Sequence, residues 1–142
     1  MRKILLCVLL FLFLPAMRVE AYEELDKEEI VLLQQIALAE ANDQGIGGMS
    51  FVMQAILNRI ESDDFPDTLE EVVAEEGQFT SYENESYLKY EPTANSKKAF
   101  ELLELLQNRG QLYFENPNGK EDTWHSRNLE FVFRYEDHVF YK

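Results

Sequence analysis

The sequence predicts an α+β domain with helices first and a small antiparallel sheet last. Two observations carry this. Apolar residues recur at helical spacing, with capping signatures, from Asp26 to about residue 108. Beyond Gly110 the period becomes two, and short aromatic runs are separated by turn residues.

The elements follow in order. Asp26 and Glu29 form a capping box, with Leu25 and Ile30 at the staple positions outside and inside it. On the helix they open, Leu33, Ile36, Ala37 and Glu40 share one face, whereas Gln34, Gln35 and Leu38 lie mostly elsewhere. Gly45, Gly47 and Gly48 then predict a tight reversal. A second helix, about 48–61, is apolar on most sides and therefore central. Pro66 breaks the chain, and Thr68 with Glu71 caps a short helix ending near residue 74. The polar, tyrosine-bearing stretch 75–95 reads as a long connection. A further helix, about 94–108, stops at Gly110. "QLYFENP" is a short strand and "NGKED" a turn. "LEFVFRY" places Leu129, Phe131, Phe133 and Tyr135 on one face, and "HVFYK" is its hairpin partner.

The 142 residues predict one domain, with no internal repeat or low-complexity segment. Residues 1–21 read as a secretory signal: Arg2 and Lys3 precede a long apolar run, and Ala21 suits a cleavage site. The alternative is an uncleaved membrane anchor, although the run is shorter than a spanning helix needs. The expected mature domain is therefore 22–142, extracytoplasmic and free of the membrane after cleavage. Removing the signal takes three basic and one acidic residue from the 13 and 27 present, leaving 10 and 26 and a net charge of −16. Such a charge repels phosphate and excludes nucleic acid as a partner. The sole cysteine, Cys7, lies within the signal, which excludes a disulfide framework and a thiol nucleophile from the mature domain.

Glu40 is the residue that raises a chemical question. A carboxylate among Leu33, Ile36 and Ala37 loses solvation, and the helix C-terminus adds partial negative charge. Both raise its expected pKa, as suits an acid that protonates a leaving oxygen. Spacing alone favours the other outcome, a helix-end glutamate that reaches out to water. Other chemistries find less support. No lysine follows Gly48 as a phosphate loop requires, no G-x-S-x-G elbow occurs, and His125 and His138 stand apart without a ligand pattern. Neither a metal nor a cofactor is expected.

The ordered motifs are more specific than any one residue. "IALAEANDQGIGGMSFVMQAILNRIESDDFPDTLEEVV", then "GQFTSY", "LYFENP", "TWHSR" and "HVFYK", resemble the spore cortex-lytic family of bacterial cell wall hydrolases over roughly residues 30–142. The resemblance implies a domain related to lysozyme-like lytic transglycosylases, acting on peptidoglycan glycan strands between N-acetylmuramic acid and N-acetylglucosamine. It implies Glu40, of the Glu-Ala pair, as catalytic acid, and Gln78, Thr80, Asn58, Asn116 and Trp124 as candidate substrate contacts. Each contact has a structural alternative: loop polarity for Gln78 and Thr80, backbone satisfaction for Asn58, turn formation for Asn116, and a plug between helices and sheet for Trp124. His138 reads as a hairpin anchor. The muramidase alternative would need a helper carboxylate, for which Asp43, Glu61 and Glu75 are candidates. A third alternative is an inactive glycan-binding relative, since Gln44 stands where the family usually has a glutamate, followed by Gly45 and Ile46 in place of a proline and an aromatic. Thr80 replaces the family serine but keeps the hydroxyl. An accessory protein partner is left unspecified.

Overall fold

The computed structural model describes residues 21–142; the expected signal segment lies, Ala21 apart, outside the described residues. Seven α-helices and three strands follow one another: α1 (Ala21–Glu24), α2 (Lys27–Ala41), α3 (Gly45–Ile60), α4 (Leu69–Ala74), α5 (Thr80–Glu83), α6 (Ala94–Glu101), β1 (Tyr113–Glu115), α7 (Trp124–Asn128), β2 (Phe131–Tyr135) and β3 (His138–Tyr141). Single 3-10 turns join some of them, at Asn42–Gln44, Ser86–Lys89 and Leu102–Glu104. The α+β class expected from the sequence is what is observed.

Local chemistry sets most helix starts. Asp26 accepts from the Glu29 amide while the Glu29 side chain accepts from the Asp26 amide, completing the expected box at α2. At α4 the Thr68 hydroxyl accepts from the Glu71 amide, at 3.3 Å, and donates to the Glu71 carboxylate, at 2.7 Å. Helix α3 is buried along nearly its whole length and packs against α1, α2, α4, α6 and β1. Such a helix must pair its polar side chains internally. The Ser50 hydroxyl lies 2.7 Å from the Ala99 carbonyl, and Gln54 accepts from the buried Gln111 amide at 2.7 Å.

The sheet has the order β1-β3-β2, antiparallel throughout. Its inner face packs on α3: Phe51 meets the rings of Phe133, Tyr135 and Phe140 at 4.8, 5.1 and 5.7 Å, and Phe133 stacks on Phe140 at 4.6 Å.

Several expectations are corrected. Gly47, expected in the reversal, is helical, and the second helix starts three residues before the expected residue 48. The reversal is made by the Asn42–Gln44 turn and by Gly45 at φ +68, and α3 begins at Gly45. A methyl group on Gly47 would overlap the Tyr135 phenol, so this glycine serves close approach of the sheet. The long connection contains α5 and a 3-10 turn, and α6 is shorter than expected. Strand β2 does not alternate cleanly. Its pairing slips between Phe131 and Phe133, a bulge that turns Phe131 out, 61% exposed, while Phe133 stays buried. Helix α7, capped by Thr123, was not expected from the sequence. Gln34 and Leu38 are buried along with the expected face of α2, because α2 packs against α3, α4, α5 and α6.

His138 anchors the hairpin, buried with its Nδ1 meeting no partner. Desolvation lowers its pKa below the ordinary 6.5, against the opposing charges of Asp43 and Asp137. The unfolded chain therefore takes up this proton more readily, so stability falls as pH drops below about 6.5 towards the folded pKa. Urea denaturation at pH 7.5 and 5.5 will show this loss, and a His138→Phe variant will show a smaller one.

Candidate active site

Glu40 occupies the last turn of α2, half-buried, at the corner where the chain enters α3. Its Oε1 accepts a 2.6 Å hydrogen bond from the Ser81 hydroxyl on α5. Ser81 is buried and held in a compact segment. Phe79, one step before α5, is buried as its anchor, and the Gly77 amide donates to the Glu83 carboxylate. The adjacent Tyr82 and Tyr87 rings stack at 5.1 Å against the core, and burial together with the Glu70 carboxylate raises the Tyr82 pKa.

What seats Phe79 is Arg59. The guanidinium is buried, donates to the Leu112 carbonyl at 2.6 Å, and lies 5.0 Å from the Phe65 ring and 5.3 Å from those of Phe79 and Tyr113. Desolvation lowers its pKa to about 10. Four dispersed motifs, "LNR", "FP", "QF" and "LYF", thus meet around one cation, and their convergence places Ser81 against Glu40.

The other sequence-derived candidates fall in different places. Gln78 and Thr80 flank Phe79, both exposed, on the segment that carries Ser81. Asn58 is buried and pairs with Asn108, at 2.7 and 3.0 Å, and with the Gln111 carbonyl at 2.8 Å. Asn116 accepts from the Asn118 amide at 2.9 Å and forms the turn after β1. Trp124 is 58% exposed and so does not plug the junction of helices and sheet. Of the helper carboxylates, Glu61 follows the far end of α3, about 24 Å along that helix at 1.5 Å per residue, and accepts from the Ala21 amide. Glu75 faces Arg59. Asp43 is exposed on the turn beside Glu40. The described residues contain no cluster of three or more His, Cys, Asp or Glu able to hold a metal ion. None of the described helices is long and apolar enough to cross a membrane.

Ser81 was missed by sequence reasoning, which placed the hydroxyl at Thr80. The two are adjacent, and only the burial of Phe79 decides which points inward. Gln44 also gains a definite role. Buried at 4% exposure, it accepts from the Asp137 amide at 2.8 Å and offers its own amide to the Asp137 carboxylate at 3.4 Å. It therefore ties the turn after Glu40 to the β2–β3 hairpin. A glutamate at this position would set two carboxylates against each other.

A helical core with an appended three-stranded sheet is the fold shared with two solved cell wall enzyme domains. The cell wall hydrolase family matches residues 43–141, and the chain belongs to it, a peptidoglycan-degrading enzyme as the sequence motifs implied. Among solved structures, the catalytic domain of the germination-specific lytic transglycosylase SleB from Bacillus anthracis aligns with a TM-score of 0.72 at 23% identity, covering 84% of this chain and 98% of that one. The SleB catalytic domain of Bacillus cereus aligns with a TM-score of 0.70 at 24% identity, covering 82% and 91%. At such identities these likenesses speak for the fold. No curated protein matches the sequence. The family match begins at Asp43, three residues beyond Glu40, so the case for Glu40 rests on its own geometry.

Two substitutions test this corner. Gln44→Glu will cost about 1–3 kcal/mol in urea denaturation through a lost donor and a like-charge contact, and Asp137→Asn in the same chain will recover part of it. Ser81→Ala will lower kcat by roughly tenfold, through loss of the hydrogen bond that orients the Glu40 carboxyl group. KM will change little, and Ser81→Thr will restore part of the rate.

Proposed function

We propose that this domain is a secreted lytic transglycosylase that cleaves peptidoglycan between N-acetylmuramic acid and N-acetylglucosamine, with Glu40 as its acid and base. The observation that carries the reading is the half-buried Glu40 oriented by the Ser81 hydroxyl. With Oε1 accepting from Ser81, the acid proton sits on Oε2. That proton passes to the glycosidic oxygen as the bond to C1 of the muramic residue breaks. The resulting carboxylate then removes the proton from the 6-hydroxyl of the same sugar, whose oxygen attacks C1 and closes a 1,6-anhydro ring. Water is not consumed, and no second carboxylate is required, unlike the usual two-carboxylate glycosidase arrangement. The Bacillus anthracis SleB domain, described as a lytic transglycosylase, supports this reading.

Gln78 and Thr80, exposed on the segment that carries Ser81, are proposed to bond the N-acetyl and hydroxyl groups of the substrate. Asn58 and Asn116 are left out of the binding surface, because their side chains are used within the fold. Muramidase-type hydrolysis is the second reading. The exposed Asp43, on the turn next to Glu40, favours it as the position from which a water could be activated. The inactive-relative alternative is separated from both by wall digestion, since it predicts binding to wall without any product.

Digestion of purified wall followed by muropeptide analysis tests the proposal. Wild-type protein will release anhydro-muramic ends, and Glu40→Gln will release them at least a hundredfold more slowly, in line with the usual weight of general acid–base catalysis. Equal release by both proteins would overturn the role of Glu40, and reducing muramic ends would establish the hydrolase.

A further inference from the structure

The outer face of the sheet carries a concave feature whose lining does not include Glu40. Together with the 117–126 segment it encloses a cavity of about 420 Å³, lined among others by Glu115, Thr123, Ser126, Phe131, Arg134 and Tyr141. That volume lies within the range of small-molecule sites. Neither Glu40 nor Ser81 lines it.

Its construction is specific. The Glu115 carboxylate accepts from the Thr123 hydroxyl at 2.5 Å and the Tyr141 hydroxyl at 3.0 Å, with His125 Nδ1 3.2 Å away. These contacts fix a polar wall. Lys120 and Glu121 complete two cations and two carboxylates among the lining residues, so the site is locally balanced within a chain of net charge −14. Phe131 also lines it, 61% exposed and turned to this face by the bulge in β2 rather than into the core. Bulges re-aim side chains beside functional sites. A ring exposed at one edge, with hydroxyls and a fixed carboxylate behind it, suits a neutral ligand having an apolar face and many hydroxyl groups.

We propose that this outer-face pocket is a saccharide-binding site, separate from the Glu40 corner, in which a pyranose stacks on Phe131 and bonds the Glu115, Thr123 and Ser126 wall. The choice of an amino-sugar ligand rests on the peptidoglycan reading above. Such a site would hold the enzyme on its polymeric substrate while Glu40 acts elsewhere on the chain.

The test uses the full chain carrying Glu40→Gln, titrated with chitotetraose, a neutral oligomer of N-acetylglucosamine, and followed residue by residue by NMR. Shifts are expected at the amides of Thr123, Ser126, Phe131 and Arg134. Phe131→Ala will weaken this binding about tenfold, as loss of an aromatic contact does, and Phe131→Trp will restore it. Because Phe131 is exposed, these variants keep the fold. Shifts confined to residues 40–48 and 78–83 would overturn the proposal, as would unchanged affinity in Phe131→Ala. A free stem peptide that moves the pocket amides where chitotetraose leaves them still would also overturn it. Turnover is not read in this experiment, so failure of the transglycosylase reading and failure of this one are separable.

Discussion

Because α3 is buried along nearly its whole length, most of the polar side chains it carries find partners inside the protein, chiefly on other elements. Arg59 Nη1 meets no hydrogen-bond partner and lies among rings. Ser50 reaches α6, Gln54 and Asn58 hold the Asn108–Gln111 stretch, and Arg59 gathers the rings of Phe65, Phe79 and Tyr113. Arg59 matters most. A buried cation costs a good deal of solvation, and aromatic faces with one carbonyl compensate for it only in a closed arrangement. Closing it brings the start of α5 onto the end of α2, and this puts Ser81 on Glu40.

The corner between α2 and α3 joins the helical core to the sheet. Gly47 lets the Tyr135 ring lie against the helix, and Gln44 grips the hairpin turn at Asp137 through both ends of its amide. The amide suits this turn because it offers a donor and an acceptor together, whereas a carboxylate offers acceptors alone. The substitution at Gln44 and the acid at residue 137 are best understood as one feature. The residue that departs from the family's glutamate is part of the turn that links the end of α2 to the hairpin.

The sheet divides labour between its faces. Phe133, Tyr135 and Phe140 seal the inner face against Phe51 on α3, while Glu115, Tyr141 and Phe131 line the outer one. Strict alternation would have placed Phe131 with Phe133. One extra residue in β2 reverses it, and a core aromatic becomes a surface one.

The sequence by itself determined what depends on neighbours along the chain: the α+β class, the capped start of α2, the burial of α3, the Thr68 cap and the closing hairpin. Its ordered motifs also determined the family. These are local periodicities and caps, or patterns of order, and neither requires knowing what folds against what. Tertiary structure alone decided the rest. It turned Ser81 rather than Thr80 inward, because Phe79 had a cage to fill. It took Gly47 into the helix rather than the reversal and used its missing side chain for the close approach of Tyr135. It gave Gln44 a partner 93 residues away and turned Phe131 outward at a bulge. Each of these outcomes hangs on a contact between residues distant in sequence, and such contacts leave no mark in the periodicity of either segment.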